Sequence, residues 1–153
     1  MANTYSQVYL QFVFAVKGRQ NLIPQKHEDE LQKYIAGIVK NRNQKLIAIN
    51  NVPDHIHLFV GFNTTMSIAD FMEEVKSISS KFINDKAWLR GKFEWQRGYG
   101  VFSYSRSQLD NVTKYIMSQK EHHKKQTFKE EYLEFLNKFE IEYDDRYLFD
   151  WID

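Results

Sequence analysis

Two histidines one residue apart, His55-Ile56-His57, and a tyrosine four residues ahead of a glutamine, Tyr115 and Gln119, are the places where this sequence could do chemistry. Side chains alternate along a strand, so His55 and His57 would share one face while Ile56, Leu58, Val60 and Phe62 share the other. Two imidazoles so placed can converge on one divalent ion. On a helix, residues four apart lie one above the other, which would present the Tyr115 phenol and the Gln119 amide together, the amide oxygen being a suitable hard ligand. A phenol, with an ordinary pKa of about 10, is a poor nucleophile at neutral pH until a cation polarises its target and favours phenolate. Its attack on a phosphodiester would leave a phosphotyrosine linkage that conserves the energy of the broken bond for rejoining.

Each signal alone has a plainer reading. His-x-His also describes a half-solvated strand, and Tyr115 beside a Leu109/Val112/Ile116 stripe also describes a boundary tyrosine with a wet hydroxyl. Adjacent helix positions diverge by roughly 100°, so His122 and His123 do not easily share an ion. His122 falls on the Tyr115 side and is a candidate supporting residue, the alternative being a solvated helix end near Lys124 and Lys125. The sequence has no cysteine, so any metal must use nitrogen or oxygen ligands, and the zinc-protease spacing H-E-x-x-H is absent.

The elements that must position these residues follow from periodicity. Thr4 to Val16 alternates early and becomes apolar on both faces, as a central strand does. Pro24 opens a helix with Leu31, Tyr34, Ile35 and Ile38 at helical spacing, ending near Asn41 to Asn43. Leu46–Val52 and His55–Phe62 predict a hairpin joined at Pro53-Asp54. Ser67 caps a second helix whose Ile68, Phe71, Val75, Ile78 and Phe82 form one stripe. After a segment with three of the six glycines, Gly91 to Gly100, come a short strand at Val101–Ser105, a third helix capped by Ser107, and an amphipathic helix from about Phe128 to Phe139. The acidic tail from Ile141 carries Tyr143, Tyr147, Phe149 and Trp151, which predicts that it docks on the surface of the domain.

The order β-α-β-β-α-β plus C-terminal helices predicts an α+β, ferredoxin-like or RRM-like sandwich, with an antiparallel sheet and helices on one face. At 153 residues the chain fits one domain, divisible into a sandwich core at 1–105, a tyrosine helix at 106–125 and an acidic helix and tail at 126–153. Residues 1–125 carry 18 Lys+Arg against 11 Asp+Glu, and residues 126–153 carry 3 against 9, a basic body with an acidic tail that suits a polyanion partner or simply two solvated faces. No secretory leader pattern and no apolar run long enough for a membrane helix is visible, which predicts a cytoplasmic protein without a membrane partner.

Three segments then stand in order: Val52-Pro-Asp-His-Ile-His-Leu-Phe-Val60, Trp95-Gln-Arg-Gly-Tyr-Gly-Val-Phe-Ser103 and Tyr115-Ile-Met-Ser-Gln-Lys-Glu-His-His123. Together they resemble the single-tyrosine HUH transposases of the insertion-sequence 200/605 type, and the resemblance runs over nearly the whole chain. It implies a Mg²⁺ or Mn²⁺ ion held by His55 and His57 with Gln119 as third ligand, and Tyr115 as the nucleophile that takes a DNA 5′ end. It also implies a bacterial protein, nucleoid-associated when DNA-bound, that acts as a homodimer on hairpin-bearing single-stranded DNA. In such a dimer the tyrosine helix of one subunit can complete the histidine site of the other. Candidate DNA contacts are Lys17, Arg19, Lys76, Lys81, Arg90, Lys92 and Arg97 for phosphates and Trp95 and Tyr99 for stacking. Two alternatives stay open: a non-catalytic RRM-like module, although no RNP pattern is present, and an HUH replication or conjugation nickase, which would ordinarily carry further domains.

Overall fold

The computed structural model describes residues 3–152. Four strands, β1 (Tyr9–Ala15), β2 (Lys45–Val52), β3 (His55–Gly61) and β4 (Gly100–Tyr104), form one antiparallel sheet in the order β2-β3-β1-β4. The expected β-α-β-β-α-β order is present, with α1 (Glu28–Asn41) and α2 (Ile68–Lys86) as its helices. β1 is central, as its two-sided apolar run predicts, pairing Val13 with His57 and Ala15 with His55 on one side and Val13 with Gly100 on the other.

Alternation divides the sheet's side chains between two cores. Leu10, Phe12, Phe14, Ile56, Leu58 and Val60 point toward α1 and α2, where they meet Leu31, Ile35, Phe71 and Val75, all fully buried. Ser67 caps α2, accepting from the Asp70 N–H at 3.0 Å.

The opposite face is covered by α3 (Leu109–Met117), α4 (Gln119–His122) and α5 (Phe128–Lys138). Val13, Ala15 and Phe102 pack there on Phe128, Tyr132, Phe135 and Leu136, while Ala48 and Phe59 pack on Val112 and Ile116. The helices on the single expected face are thus only half the covering. The expected cap at Ser107 is replaced by Ser105, two residues earlier, which caps a 3₁₀ turn at Arg106–Gln108 in a capping box with Gln108, and that turn leads directly into α3. The tail docks as expected: Phe149 is buried against Phe128 and Tyr132, and the Asp150 backbone exchanges two hydrogen bonds of 2.7 Å with the Gln96 side chain. Among the described residues no helix is long and apolar enough to cross a membrane.

Candidate metal centre and its tyrosine

The histidine strand faces α3 to α5, and both imidazoles are completely buried. Their common partner is a residue that the sequence reading did not select, Glu131 in the first turn of α5. Its Oε1 lies 3.2 Å from His55 Nε2 and 3.1 Å from His57 Nε2, and the ligating atoms of His55, His57 and Glu131 all lie within 4.8 Å of one another. Two imidazole nitrogens and a carboxylate oxygen form a donor set that suits a divalent ion.

The other carboxylate oxygen serves the second half of the site. Glu131 Oε2 accepts a short hydrogen bond from the Tyr115 hydroxyl and another from Gln119 Nε2 at 3.0 Å. One carboxylate therefore joins the histidine pair to the phenol. Gln119 Oε1 is turned away, toward His123 Nε2 at 3.0 Å, so the amide braces Glu131. His123 also reaches Glu131 Oε1 at 3.1 Å, whereas His122 lies against the Tyr115 ring, centroids 4.5 Å apart. The histidine that supports the carboxylate is the one that uniform helical spacing pointed elsewhere, because the helix is interrupted at Ser118 between α3 and α4.

The neighbouring elements hold this arrangement through side chains placed for that purpose. Asn50 Nδ2 donates to the Ile116 carbonyl at 3.0 Å, satisfying an acceptor in the last turn of α3 just behind Tyr115. Lys120 on α4 pairs with the buried Glu28 of α1 at 2.7 Å. Asp54, expected only as a turn former, also accepts from His55 Nδ1 at 2.7 Å, which orients that ring with Nε2 toward Glu131. On the far side of His57, Gln11 Nε2 stands 2.8 Å from Nδ1, and Gln11 Oε1 accepts from the Tyr104 hydroxyl at 2.9 Å.

Burial and charge act against each other throughout the site. Burial disfavours the His55 cation, but hydrogen bonds to Asp54 and Glu131 outweigh it and hold this histidine above its usual pKa. For His57 burial prevails over the attraction of Glu131, and the ring is held below its usual value. Burial likewise opposes the Glu131 anion, yet the three surrounding histidines keep it well below the ordinary carboxylate range. Tyr115 is pushed far upward by burial and by the Glu131 charge, so its proton stays on oxygen in the metal-free protein.

The candidate DNA contacts fall into different environments. Trp95 does not offer a stacking face: it is buried between Phe14 and Phe93, and its indole N–H donates to Ser79 at 3.0 Å. Tyr99 is half-buried against Phe12. Lys76 is tied to the Gln96 and Gly98 carbonyls, Lys81 to Asp85, Lys17 to Glu94, and Arg19 to the Ile152 carbonyl. Arg90, Lys92 and Arg97 are exposed. Lys76 and Lys81 ride on α2, across the sheet from Tyr115.

With the geometry in view, residues 4–119 match the family described as "Transposase IS200 like". The chain belongs to the IS200-like transposases. The ISDra2 transposase TnpA of Deinococcus radiodurans is 24% identical to this transposase over 120 residues, covering 74% of this chain and 84% of the relative. A crystal structure from Deinococcus radiodurans R1 assigned as a transposase superposes with a TM-score of 0.60 at 21% identity, covering 78% of this chain and 95% of that one. A REP-associated tyrosine transposase bound to a REP hairpin also gives 0.60, at 14% identity, covering 80% and 73%. The match ends at Gln119, so Glu131 and the rest of α5 lie beyond the residues that define the family here. Within the single chain, α3 to α5 fold over their own sheet and place the Tyr115 ring 6.0 Å from the His57 ring between centroids.

Proposed function

We propose that this transposase cleaves and rejoins single-stranded DNA at hairpin-bearing ends through a 5′-phosphotyrosine intermediate on Tyr115. One observation carries the reading: the two oxygens of Glu131 are divided between the histidine pair and the Tyr115 hydroxyl. His55, His57 and Glu131 would hold Mg²⁺ or Mn²⁺, with Gln119 as a further ligand if its amide turns. The ion, when bound, supplies Lewis-acid stabilisation of the phosphate charge.

Glu131 Oε2 already accepts a hydrogen bond from the Tyr115 hydroxyl, so it stands where that proton must go as Oη forms its bond to phosphorus. The bond from phosphorus to the 3′ oxygen breaks, and that oxygen leaves as a 3′ hydroxyl, taking up the proton that Glu131 received from Tyr115. Rejoining is the reverse: a 3′ hydroxyl attacks the phosphotyrosine and Tyr115 recovers its proton. A cavity of about 340 Å³ beside Tyr115, lined by Gln11, Tyr104, Gln108, Asn111, Glu131 and Lys138 among others, gives the strand a route to the hydroxyl. The REP hairpin on the structurally similar transposase supports a hairpin substrate here. An RRM-like binder would read bases on an open sheet face, and in this chain α3 to α5 cover that face.

The test is a covalent adduct. Purified protein with Mn²⁺ and hairpin-bearing single strands from the ends of its element should yield a denaturant-resistant protein–DNA species, and Tyr115→Phe should abolish it. Equal adduct from Tyr115→Phe would end the assignment. A homodimer is part of the same reading, with each subunit carrying a complete site. Mixing Tyr115→Phe with His57→Ala protein should therefore restore no activity, whereas recovery on mixing would establish shared sites.

A further inference from the structure

Each histidine of the pair has a partner on its other ring nitrogen, and the two partners differ in kind. Behind His55 stands Asp54, a carboxylate, which can only accept. Its hydrogen bond keeps a proton on Nδ1, so that when the ring is neutral Nε2, the atom facing Glu131, carries the lone pair that can bind a metal. Behind His57 stands Gln11, a primary amide, which can do either. In the arrangement observed, Gln11 Nε2 donates to His57 Nδ1. His57 then carries its proton on Nε2 and donates it to Glu131 Oε1. That tautomer cannot ligate through Nε2.

The remaining side of the amide is what makes a second arrangement available. Gln11 is completely buried, and its Oε1 accepts from the Tyr104 hydroxyl. An amide turned about its last bond exchanges oxygen for nitrogen at nearly constant shape, and a hydroxyl can accept as well as donate. With Gln11 reversed, Oε1 would accept from His57 Nδ1–H while Nε2 donates to Tyr104 Oη. Gln11, Tyr104 and His57 Nδ1 each keep a partner, and His57 Nε2 exchanges its hydrogen bond to Glu131 for a lone pair that a metal can take.

We infer that Gln11 is a positioning residue whose amide turns over between the metal-free and metal-bound protein, setting which nitrogen of His57 carries the proton, with Tyr104 as the two-way partner that permits both states. This rests on the reading of His55, His57 and Glu131 as a metal centre. It assigns a role to a β1 residue that the motif residues do not include.

Nitrogen NMR of the His57 ring in the unmutated protein tests it directly. The proton should sit on Nε2 without metal and on Nδ1 after saturation with Mg²⁺, and the Gln11 side-chain amide resonances should shift in step. A proton on Nδ1 in both states overturns the inference. Mn²⁺ binding by titration calorimetry gives a second arm. Gln11→Met, which removes the acceptor, should weaken Mn²⁺ by about 10- to 100-fold. Gln11→Glu, a permanent acceptor, should bind at least as tightly as the unmutated protein and hold His57 in the Nδ1–H form even without metal. A merely structural role predicts that both variants weaken Mn²⁺ alike, and that result overturns the inference. Failure of the unmutated protein to bind Mn²⁺ would refute the metal centre itself, whereas binding indifferent to Gln11 would refute only the role given to the amide.

Discussion

The two faces of the sheet are both buried and both rich in aromatic side chains, yet they are held by different physics. Toward α1 and α2 the sheet presents mainly Leu, Phe, Ile and Val, whose packing has no directional demand; the buried polar exception there is Asn51, held by Gln32 and Glu28 of α1 at 2.7 and 3.1 Å. Toward α3 to α5 it presents Gln11, Asn50, His55 and His57 among Val13, Ala15, Ala48 and Phe59. There every polar atom needs a partner, and among the described residues no buried side-chain nitrogen or oxygen lacks one. The first face is a foundation that tolerates local repacking. The second is a network, and moving one member leaves another buried without its bond.

The largest separation of the two faces should come from Phe12→Ala. Phe12 is completely buried and packs against Phe71 at 5.4 Å and Phe62 at 6.5 Å between centroids. Its truncation should cost about 3–5 kcal/mol of stability by urea unfolding. Mn²⁺ affinity of the protein that remains folded should be unchanged, since the Phe12 ring packs on the α1 and α2 side of the sheet, away from the network. A large loss of affinity would mean that the faces are coupled through β1.

Glu131→Gln asks the opposite question. The amide keeps the shape but loses the charge that His55, His57 and His123 surround. Mn²⁺ affinity should fall by about 100-fold or more, the loss of a ligand being at least as severe as the 10- to 100-fold cost of disturbing a ligand's support. The adduct on Tyr115 should fall with it.

The contrast also explains what could be read from sequence. The apolar face announces itself by period, because Leu10, Phe12, Phe14 and the α2 stripe at Phe71 and Val75 repeat at two and at three to four residues. His55 and His57 were legible for the same reason, their strand alternating cleanly. Glu131 was not: it is a carboxylate among many in an acidic segment, and only its place on the buried side of α5, between Phe128, Tyr132 and Phe135, sets it apart from the neighbouring Glu130. His123 was hidden because the helix breaks at Ser118, which no residue-count argument across Tyr115 to His123 can anticipate. Trp95 misled because an aromatic among basic residues has the composition of a stacking platform, while its burial depends on contacts with Phe14 and Ser79, distant in the chain.

Gly100→Ala should give a smaller effect that crosses the divide. A Cβ there would lie 2.7 Å from Tyr132 Oη and 3.0 Å from Phe102 Cε2, closer than side chains pack. Overpacking should cost about 1–3 kcal/mol. Because Tyr132 follows Glu131 on α5, the strain falls on the helix that carries the carboxylate. Stability and Mn²⁺ affinity should therefore fall together, unlike in Phe12→Ala. A loss of stability alone would show that α5 adjusts without moving Glu131.

The smallest effect expected distinguishes the two histidines of the pair in the metal-free protein. His57 is held below its ordinary value of 6.5, so the unfolded chain takes up a proton there that the folded one refuses, and stability declines as pH falls from 6.5 toward the folded value. His55 is held above 6.5, so its contribution is fully present below 6.5 and is lost as pH rises through the folded value. These two groups together predict a stability maximum near 6.5, with limbs no steeper than about 1.4 kcal/mol per pH unit for each group. Asp54→Asn removes a charge that raises His55 and should flatten the alkaline limb while leaving the acid limb in place. Urea midpoints against pH with chelator present would show this, and loss of the acid limb instead would mean that Asp54 acts on His57. Metal should change the profile in one direction only. Ligation needs both rings neutral, so added Mn²⁺ should stabilise most on the alkaline side, where His55 has given up its proton and the metal-free protein has lost the contact that proton made.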